Sequence, residues 1–274
     1  PVGGAVGPVS SVDGAGVSVP MAGSFSDVDG DVLAYTASGL PAGLTIDATT
    51  GVISGTLGTS ASQGGAGGVY AITVTADDGE GGSTSVVLTL TVTNPAPVAG
   101  NDTAATSEDT SVSASVAGND SDPDGDVLAW SVVSGPAQGS VVLNSATGGY
   151  VYTPAANYHG PDSFTYRVTD ADGSSVVRTV SLVVTSVNDA PTSTALGGQS
   201  NADGSAVSVP VSASFSDVDG TALAYTASGL PAGLSIDPVT GVIGGTIGAS
   251  ASASGPYTVT VTATDPDGAS TSQT

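Results

Sequence analysis

The sequence predicts an all-β protein built from tandem β-sandwiches, and three observations lead to that fold class. Apolar residues alternate with smaller ones, as at Phe164, Tyr166 and Val168, which is the period of a half-buried strand. Turn signals such as Asp-Gly and Gly-Gly recur roughly every 8 to 12 residues, a spacing typical of a sandwich. No segment carries an apolar stripe with the helical period of about 3.6 residues.

A long internal repeat divides the chain into modules. The segment Phe25-Ser26-Asp27-Val28-Asp29-Gly30 recurs at residues 215–220, an offset of 190 residues that suits two modules of about 95. Joining segments that begin at Asn94 and Asn188 place the boundaries near residues 95 and 189. We therefore expect three modules, 1–95, 96–189 and 190–274, of which the third lacks most of its last strand. Either the sequence is cut there, which we favour, or a neighbouring chain supplies the strand.

Composition excludes several function classes. The chain has 25 acidic residues, two arginines and no lysine, for a net charge of -23, so it lacks the basic surface that nucleic-acid binding needs. Anionic membrane surfaces would repel it, and no apolar run is long enough to span a bilayer. A hydrophobic content of 39% argues against disorder, and the absence of cysteine excludes disulfides. The chain begins at Pro1, so we expect targeting signals to lie outside it.

The acids are clustered in short turns, which indicates calcium binding. Sixteen of the 25 acids fall in six clusters, and like charges at positions i and i+2 repel one another unless a cation neutralises them. Calcium does so with 6–8 oxygen ligands drawn from flexible loops. The run from Asp120 to Gly125 resembles the first half of an EF-hand loop, but Ser131 stands at the twelfth position and strands flank it. Asp47 and Asp237 are instead expected to cap ordinary turns.

Strand counting predicts where these clusters meet. In a seven-stranded sandwich with strands A to G, the B–C and F–G turns lie at the end that faces the preceding linker. At the second joint, between the second and third modules, the predicted calcium ligands are Glu108, Asp162, Asn188, Asp189, Asp217, Asp219, Asp265 and Asp267. At the first joint, between the first and second modules, they are Asp120, Asp122, Asp124, Asp126, Asp170 and Asp172. The first module contributes Asp27, Asp29, Asp78 and Glu80.

The first joint is expected to be the weaker of the two. Its linker carries Pro95 where the second linker carries Asp189, and residues 62–68 of the first module contain no acid. We therefore expect calcium there to be held mainly by the second module.

These motifs resemble those of the cadherin-like superfamily. The first and third modules carry F-S-D-x-D-G, L-x-Y-T-A-S-G-L-P-A-G-L and T-G-V-I-x-G-T, and they resemble dystroglycan-type cadherin-like domains, the Ig-like modules of bacterial haemagglutinins. The second module, with Asn119-Asp120-Ser121-Asp122 and Val187-Asn188-Asp189-Ala190-Pro191, resembles the VCBS-type repeats of large adhesins exported by type I secretion. The resemblance implies seven-stranded Ig/cadherin-like Greek-key sandwiches with calcium at their joints, held by a linker Asn-Asp, a D-x-D turn and an upstream Glu.

The favoured function is that of a calcium-rigidified extender in a secreted or cell-surface adhesin. The expected partners are adjacent modules of the same longer chain, with cell-surface glycans or another copy of the chain left open. A calcium-dependent carbohydrate-binding array is the alternative, for which Tyr70 or Tyr158 would offer exposed aromatic surface. Catalysis is not expected, because His159 is the only histidine and lies in a turn, and the paired carboxylates are neighbours within turns.

Overall fold

A computed structural model describes all 274 residues and contains 24 strands and five single-turn 3₁₀ helices. The predicted all-β fold is therefore confirmed. The 3₁₀ turns are Ala22–Ser24, Ala61–Gln63, Ala117–Asn119, Ser212–Ser214 and Ala251–Ala253. None of the helices has the length and apolar character needed to cross a membrane.

Residues of the first module form two packed sheets. One has the order β2-β9-β8-β5 and the other β3-β7-β6, and the short strand β1 pairs with β4. The strands are β1 (Val2–Gly3), β2 (Val9–Val12), β3 (Gly16–Pro20), β4 (Phe25–Ser26), β5 (Ala34–Ser38), β6 (Leu44–Ile46), β7 (Val52–Thr56), β8 (Val69–Asp77) and β9 (Ser83–Thr93). Strand β2 runs parallel to the end of β9, while the other pairs are antiparallel.

The second module has the same layout with seven strands. Its sheets have the orders β10-β16-β15-β12 and β11-β14-β13. The strands are β10 (Asp102–Ser107), β11 (Val112–Ser115), β12 (Ala129–Ser134), β13 (Gly139–Leu143), β14 (Gly149–Pro154), β15 (Gly160–Thr169) and β16 (Ser175–Thr185).

The third module resembles the first but has shorter final strands. Its sheets have the orders β18-β22-β21 and β20-β23-β24, and β17 pairs with β19. The strands are β17 (Thr192–Ser193), β18 (Ala206–Pro210), β19 (Phe215–Ser216), β20 (Ala224–Ser228), β21 (Leu234–Ile236), β22 (Val242–Thr246), β23 (Thr260–Thr264) and β24 (Ser270–Gln273). No counterpart of β2 is present, and whether a neighbouring chain completes this sheet stays an open prediction.

The cores follow from the period-two pattern, because alternate residues of each strand face the opposing sheet. In the second module Trp130, Phe164 and Tyr166 are buried as predicted, and the rings of Tyr150 and Phe164 meet edge to face with centroids 5.1 Å apart. Tyr70 and Tyr158, the predicted exposed aromatics, are both partly buried, and Tyr70 donates its hydroxyl hydrogen to the Ala61 carbonyl at 2.6 Å.

The chain divides into two compact units. One comprises Pro1–Thr106, Thr110–Ala155 and Gly160–Val184, and the other Ser107–Asp109, Ala156–His159 and Thr185–Thr274. The first joint lies within the first unit, and the residues Glu108, Asn188, Asp189, Asp219 and Asp265 all lie within the second. The two boundaries between the three modules stay a prediction, because a compact unit need not coincide with a folding module.

Candidate metal sites at the two joints

In each B–C turn, an aspartate side chain accepts hydrogen bonds from backbone amides further along the turn and so stabilises it. Asp122 Oδ1 accepts hydrogen bonds from the amides of Asp124 (3.1 Å) and Asp126 (3.3 Å), and Asp217 Oδ1 accepts one from Asp219 (2.9 Å). Such turns arise because a short carboxylate reaches the amides two to four residues ahead. The fold of the turn therefore brings alternate carboxylates into one place.

The first module shows the same turn with three acids. Asp27, Asp29 and Asp31 offer carboxylate oxygens that all lie within 4.8 Å of one another. The amino group of Pro1 lies 3.0 Å from an oxygen of Asp27 and 3.9 Å from one of Asp78, so the B–C and F–G turns converge here as strand counting predicts. Glu80 is exposed in the F–G turn and donates its amide hydrogen to Asp78.

Asp47 and Asp237 cap ordinary turns, as predicted. Each accepts two amide hydrogen bonds, at 2.7–2.9 Å for Asp47 and 2.8–2.9 Å for Asp237. The amides of Thr50 and Thr240, respectively, are the main cause of a lowered pKa at these two carboxyls.

At the first joint, the linker binds the F–G turn of the second module. The Asn94 side-chain amide donates to Asp170 Oδ2 at 3.0 Å and to Ser174 Oγ at 3.1 Å. Asp170 is buried, and its other oxygen accepts the Ser174 amide at 2.8 Å. Gln63 donates to the Asp172 carbonyl at 3.5 Å. The F–G turn therefore faces the linker, as strand counting predicts.

The B–C turn at this joint contacts the first module directly. A methyl group on Gly14, in the turn between β2 and β3, would lie 2.9 Å from Asp124 Cβ. This turn also contains Asp13, a buried acid that the sequence analysis missed. The sequence signal that could have identified Asp13 was its position immediately after strand A. Glu108 has the corresponding position in the second module.

Several carboxylate oxygens at the first joint are buried without a hydrogen-bond partner. They belong to Asp122 (Oδ2), Asp124 (both oxygens), Asp126 (Oδ2) and Asp172 (Oδ2). Burial first, and then the neighbouring Asp122 and Asp126 carboxylates, raises the pKa of Asp124 to about 7. A buried polar atom without a partner costs free energy, and a second negative charge beside it adds repulsion. These atoms are suited to a cation.

Asp120 has a partner for only one of its two oxygens. Its Oδ2 accepts the indole N–H of Trp130 at 2.7 Å, and burial raises its pKa. Its Oδ1 is buried without a hydrogen-bond partner, so its role as a calcium ligand stays a prediction.

At the second joint the linker repeats the contact made by Asn94. The Asn188 side-chain amide donates to Asp265 Oδ2 at 2.9 Å, and this hydrogen bond is the main cause of a lowered pKa at Asp265. The Asp189 amide donates to Asp219 Oδ2 at 2.8 Å. The linker therefore touches both acidic turns of the third module.

Three carboxylates meet at this joint. Oxygens of Glu108, Asp189 and Asp219 all lie within 4.8 Å of one another. Glu108 is 3% exposed; one oxygen accepts the Val187 amide, and the other, Oε2, has no hydrogen bond. That oxygen lies 3.8 Å from His159 Nδ1. Burial, followed by Asp219, raises the pKa of Asp189, whose Oδ2 is also without a partner.

Asp219 of this group also lines an open pocket of about 450 Å³, together with His159, Ser186, Asn188, Thr221 and Asp267. Asp217 adds a further buried oxygen without a partner. His159, which the sequence analysis treated only as a turn residue, was not expected at this site.

Asp162 has a different set of partners. Its oxygens accept the amides of Ala137 and Gln138, each at 3.0 Å, and the hydroxyl of Tyr152 at 2.9 Å. These donors lie in the second module and satisfy both oxygens. Asp162 therefore holds a turn of that sandwich, and its role as a ligand of the second joint stays a prediction.

The groups at both joints fit a hard divalent cation. Carboxylate and carbonyl oxygens are the ligands that Ca²⁺ takes, whereas the nitrogen and sulfur ligands of zinc sites are scarce here. The Glu108 group offers three carboxylates, one of them with a buried oxygen that no protein donor reaches.

These features define a class of protein, an array of Ig-like and cadherin-like β-sandwiches with acidic turns at the joints. The sequence family described as "Putative Ig domain" matches residues 1–93 and 190–274, so the chain belongs to that family. Residues 94–183 match the family described as "Bacterial Ig domain". The predicted resemblance to bacterial Ig-like and cadherin-like repeats is confirmed. None of the curated proteins compared with the chain matches it.

The chain is similar to several solved structures. PcdhgB3 EC1-4 is 17% identical with a TM-score of 0.51, covering 97% of this chain and 71% of that one. Mouse cadherin-23 EC22-24 is 17% identical with a TM-score of 0.46, over 99% of this chain and 93% of that one. An endo-fucoidan hydrolase of glycoside hydrolase family 107 is 25% identical with a TM-score of 0.35, and the chain covers 42% of it. The hydrolase's activity belongs to that protein and gives no evidence for catalysis here.

Proposed function

We propose that this chain is a calcium-stiffened extender within a secreted or cell-surface adhesin, where it supports cell adhesion or biofilm attachment. The observation that carries the proposal is the group of Glu108, Asp189 and Asp219, whose oxygens lie within 4.8 Å of one another and include buried atoms without a hydrogen bond. The resemblance to repeats of type I-secreted adhesins supports the extracellular location.

The three residues come from different segments of the chain. Glu108 follows strand β10 of the second module, Asp189 belongs to the linker, and Asp219 lies in the B–C turn of the third module. Without a cation, three carboxylates in this space repel one another. A single calcium ion would neutralise that repulsion and hold the three segments at a fixed distance, so calcium would convert a loose connection into a stiff one.

The expected affinity suits an extracellular switch. Extracellular modules bind calcium with Kd values of about 10⁻⁴ to 10⁻³ M. At a hundredfold excess over Kd, one site stabilises the folded state by about 2.7 kcal/mol. Such a chain would be slack at the low calcium level of a cytoplasm and stiff outside the cell.

Calcium titration of the whole chain tests this proposal. We expect CaCl₂ to raise the melting temperature and the maximum dimension seen by small-angle scattering, relative to EDTA, and MgCl₂ to do so less. Asp189→Ala should weaken calcium binding about tenfold or more, because even indirect partners of a metal are worth about 10- to 100-fold.

The matched control is Asp237→Asn, which alters an acidic turn residue that already has two amide partners. It should retain wild-type calcium binding. A wild-type chain whose stability and dimensions are the same in calcium and in EDTA would rule out the extender function.

A further inference from the structure

In the second module the first strand runs parallel to the last. Strand β10 lies next to β16 in the four-stranded sheet. Just before β10, Asn101 Oδ1 accepts the Thr179 amide at 3.0 Å. Further along both strands, by the same number of residues, the Thr185 hydroxyl donates to Ser107 Oγ at 3.4 Å. The two contacts advance in the same direction along both strands, so β10 and β16 are parallel.

Parallel end strands resist tension by shear. A force along the chain enters the module before β10 and leaves it after β16. It therefore pulls the two strands in opposite directions along their length, and the evenly spaced hydrogen bonds between them are all loaded at once. An antiparallel pair whose free ends lie together would instead open one bond at a time. The β10–β16 pair is therefore the part of the module that carries the load.

A tyrosine hydroxyl holds the start of β10 from another strand. Tyr166 lies on β15 and is fully buried, and its hydroxyl lies 2.7 Å from Asp102 Oδ2 and 2.9 Å from the Gly100 carbonyl oxygen. Burial, followed by the hydrogen bond to Asp102, raises the pKa of Tyr166, so the hydroxyl keeps its proton. Since β16 lies between β15 and β10, this contact holds β10 independently of its pairing with β16.

The linker in front of β10 is held by an arginine. Arg178, on β16, donates from Nε to the Ala99 carbonyl at 2.6 Å and from Nη1 to the Val177 carbonyl at 2.9 Å. Ala99 is buried, and Val98 exchanges two backbone hydrogen bonds of 2.8 Å with Ser121. These contacts extend the attachment of β10 into the linker that precedes it.

The other two modules have an apolar residue where the second has this tyrosine. The F–G turn gives the alignment, because its first aspartate accepts the amide four residues ahead in every module, namely Asp78, Asp170 and Asp265. Tyr166 lies four residues before that aspartate, and the residues at the same place are Val74 and Val261. Both valines are fully buried, and their side chains cannot donate a hydrogen bond. The hydroxyl is therefore an addition specific to the second module.

We propose that Tyr166 locks a force-bearing clamp, formed by β10 and β16, which makes the second module the strongest of the three when the chain is pulled. The inference deepens the proposed extender function and rests on it, because a chain that projects an adhesive region is placed under tension. The bonds of the clamp join protein groups directly, so the clamp operates without calcium.

Single-molecule pulling of the full chain from its two ends, in EDTA, tests the clamp. The variant is Tyr166→Phe, and the matched control is Tyr152→Phe. Tyr152 is also a fully buried tyrosine of the second module, and its hydroxyl donates to Asp162 Oδ2 at 2.9 Å, away from β10. At constant force, Tyr166→Phe should make the strongest unfolding step about tenfold faster and leave the other steps unchanged. Tyr152→Phe should change that step by less than about threefold.

Arg178→Met is a second variant, which keeps the apolar stem of the side chain and removes the donors to Ala99. It should accelerate the same step as Tyr166→Phe. Denaturant unfolding of all variants gives their equilibrium stability, which separates the clamp from a general loss of stability. Similar equilibrium losses in the two phenylalanine variants, with only Tyr166→Phe faster under force, would support the clamp.

Two results would overturn the inference. One is equal acceleration of the strongest step by Tyr166→Phe and Tyr152→Phe, and the other is a strongest step that neither Tyr166→Phe nor Arg178→Met changes. The calcium dependence of the extender has its own readout, the dimensions of the chain in calcium and in EDTA. A chain that ignores calcium but has a Tyr166-dependent step would refute the calcium switch and leave the clamp in place.

Discussion

At the first joint Asn94 follows the last strand directly, whereas two residues separate the last strand from Asn188 at the second joint. Both asparagines nevertheless make the same contact, to Asp170 at 3.0 Å and to Asp265 at 2.9 Å. The acid at the base of the preceding module also differs in length, Asp13 in one case and Glu108 in the other.

The comparison shows that the length of the linker and the length of the acidic side chain change together. A shorter linker accompanies a shorter acid and a glycine, Gly14, that permits close approach to Asp124. The longer linker accompanies a glutamate, and it brings its own carboxylate, Asp189. Carboxylates therefore gather at the first joint through direct contact between two turns, and at the second joint through the linker.

The largest expected loss of stability at the first joint comes from Gly14→Ala, with Gly204→Ala as its control. Both glycines have positive φ, 69° and 71°, so alanine should cost each about 1 kcal/mol of backbone strain. Only Gly14 faces a close neighbour; nothing lies within 4 Å of the Cβ position of Gly204. We expect Gly14→Ala to lose about a further 1–3 kcal/mol from overpacking, measured by denaturant unfolding.

Gly14→Ala should also weaken calcium binding at the first joint and leave the sites of the second joint intact. Equal destabilisation by the two alanine variants would show that the first joint does not rely on close contact of the turns.

A smaller loss of stability is expected when the asparagine contact that both joints share is removed. Asn94→Ala and Asn188→Ala each remove one hydrogen bond to a carboxylate, and each should lower the melting temperature by on the order of 2–4 °C. Both variants should be destabilised, Asn94→Ala somewhat more, because Asn94 also donates to Ser174 Oγ at 3.1 Å. A clear inequality, with only one variant destabilised, would show that one linker is not held by its F–G turn.

A pH dependence is expected at the first joint. The folded pKa of Asp124 is raised to about 7 by burial and by Asp122, above an unfolded value of about 3.9. Its contribution to stability is therefore complete below about pH 4 and is lost as pH rises through 7. In EDTA, Asp124→Asn should flatten the fall in melting temperature between about pH 4 and 7.

The control for that measurement is Asp29→Asn, at the corresponding place in the exposed turn of the first module. It should follow the wild-type profile. Identical profiles for wild type and Asp124→Asn would show that Asp124 does not titrate in this range.

The sequence by itself determined the all-β class and the repeat, because a period of two and Asp-Gly turns are local signals. It also determined that acids gather in the B–C and F–G turns, and strand counting placed these at one end of each module. Asp47 and Asp237 were recognised as plain turn caps for the same reason, since a turn is set by residues within a few positions.

Only the tertiary structure decided which acids have partners. Asp162 and Asp120 look like their neighbours in sequence, yet Tyr152 with two amides holds the first and Trp130 holds the second. Asp13 stands alone in the sequence and becomes part of an acidic joint only when its turn meets Asp124. The physical reason is that burial and hydrogen-bond satisfaction depend on groups far apart in the chain, which no local pattern records.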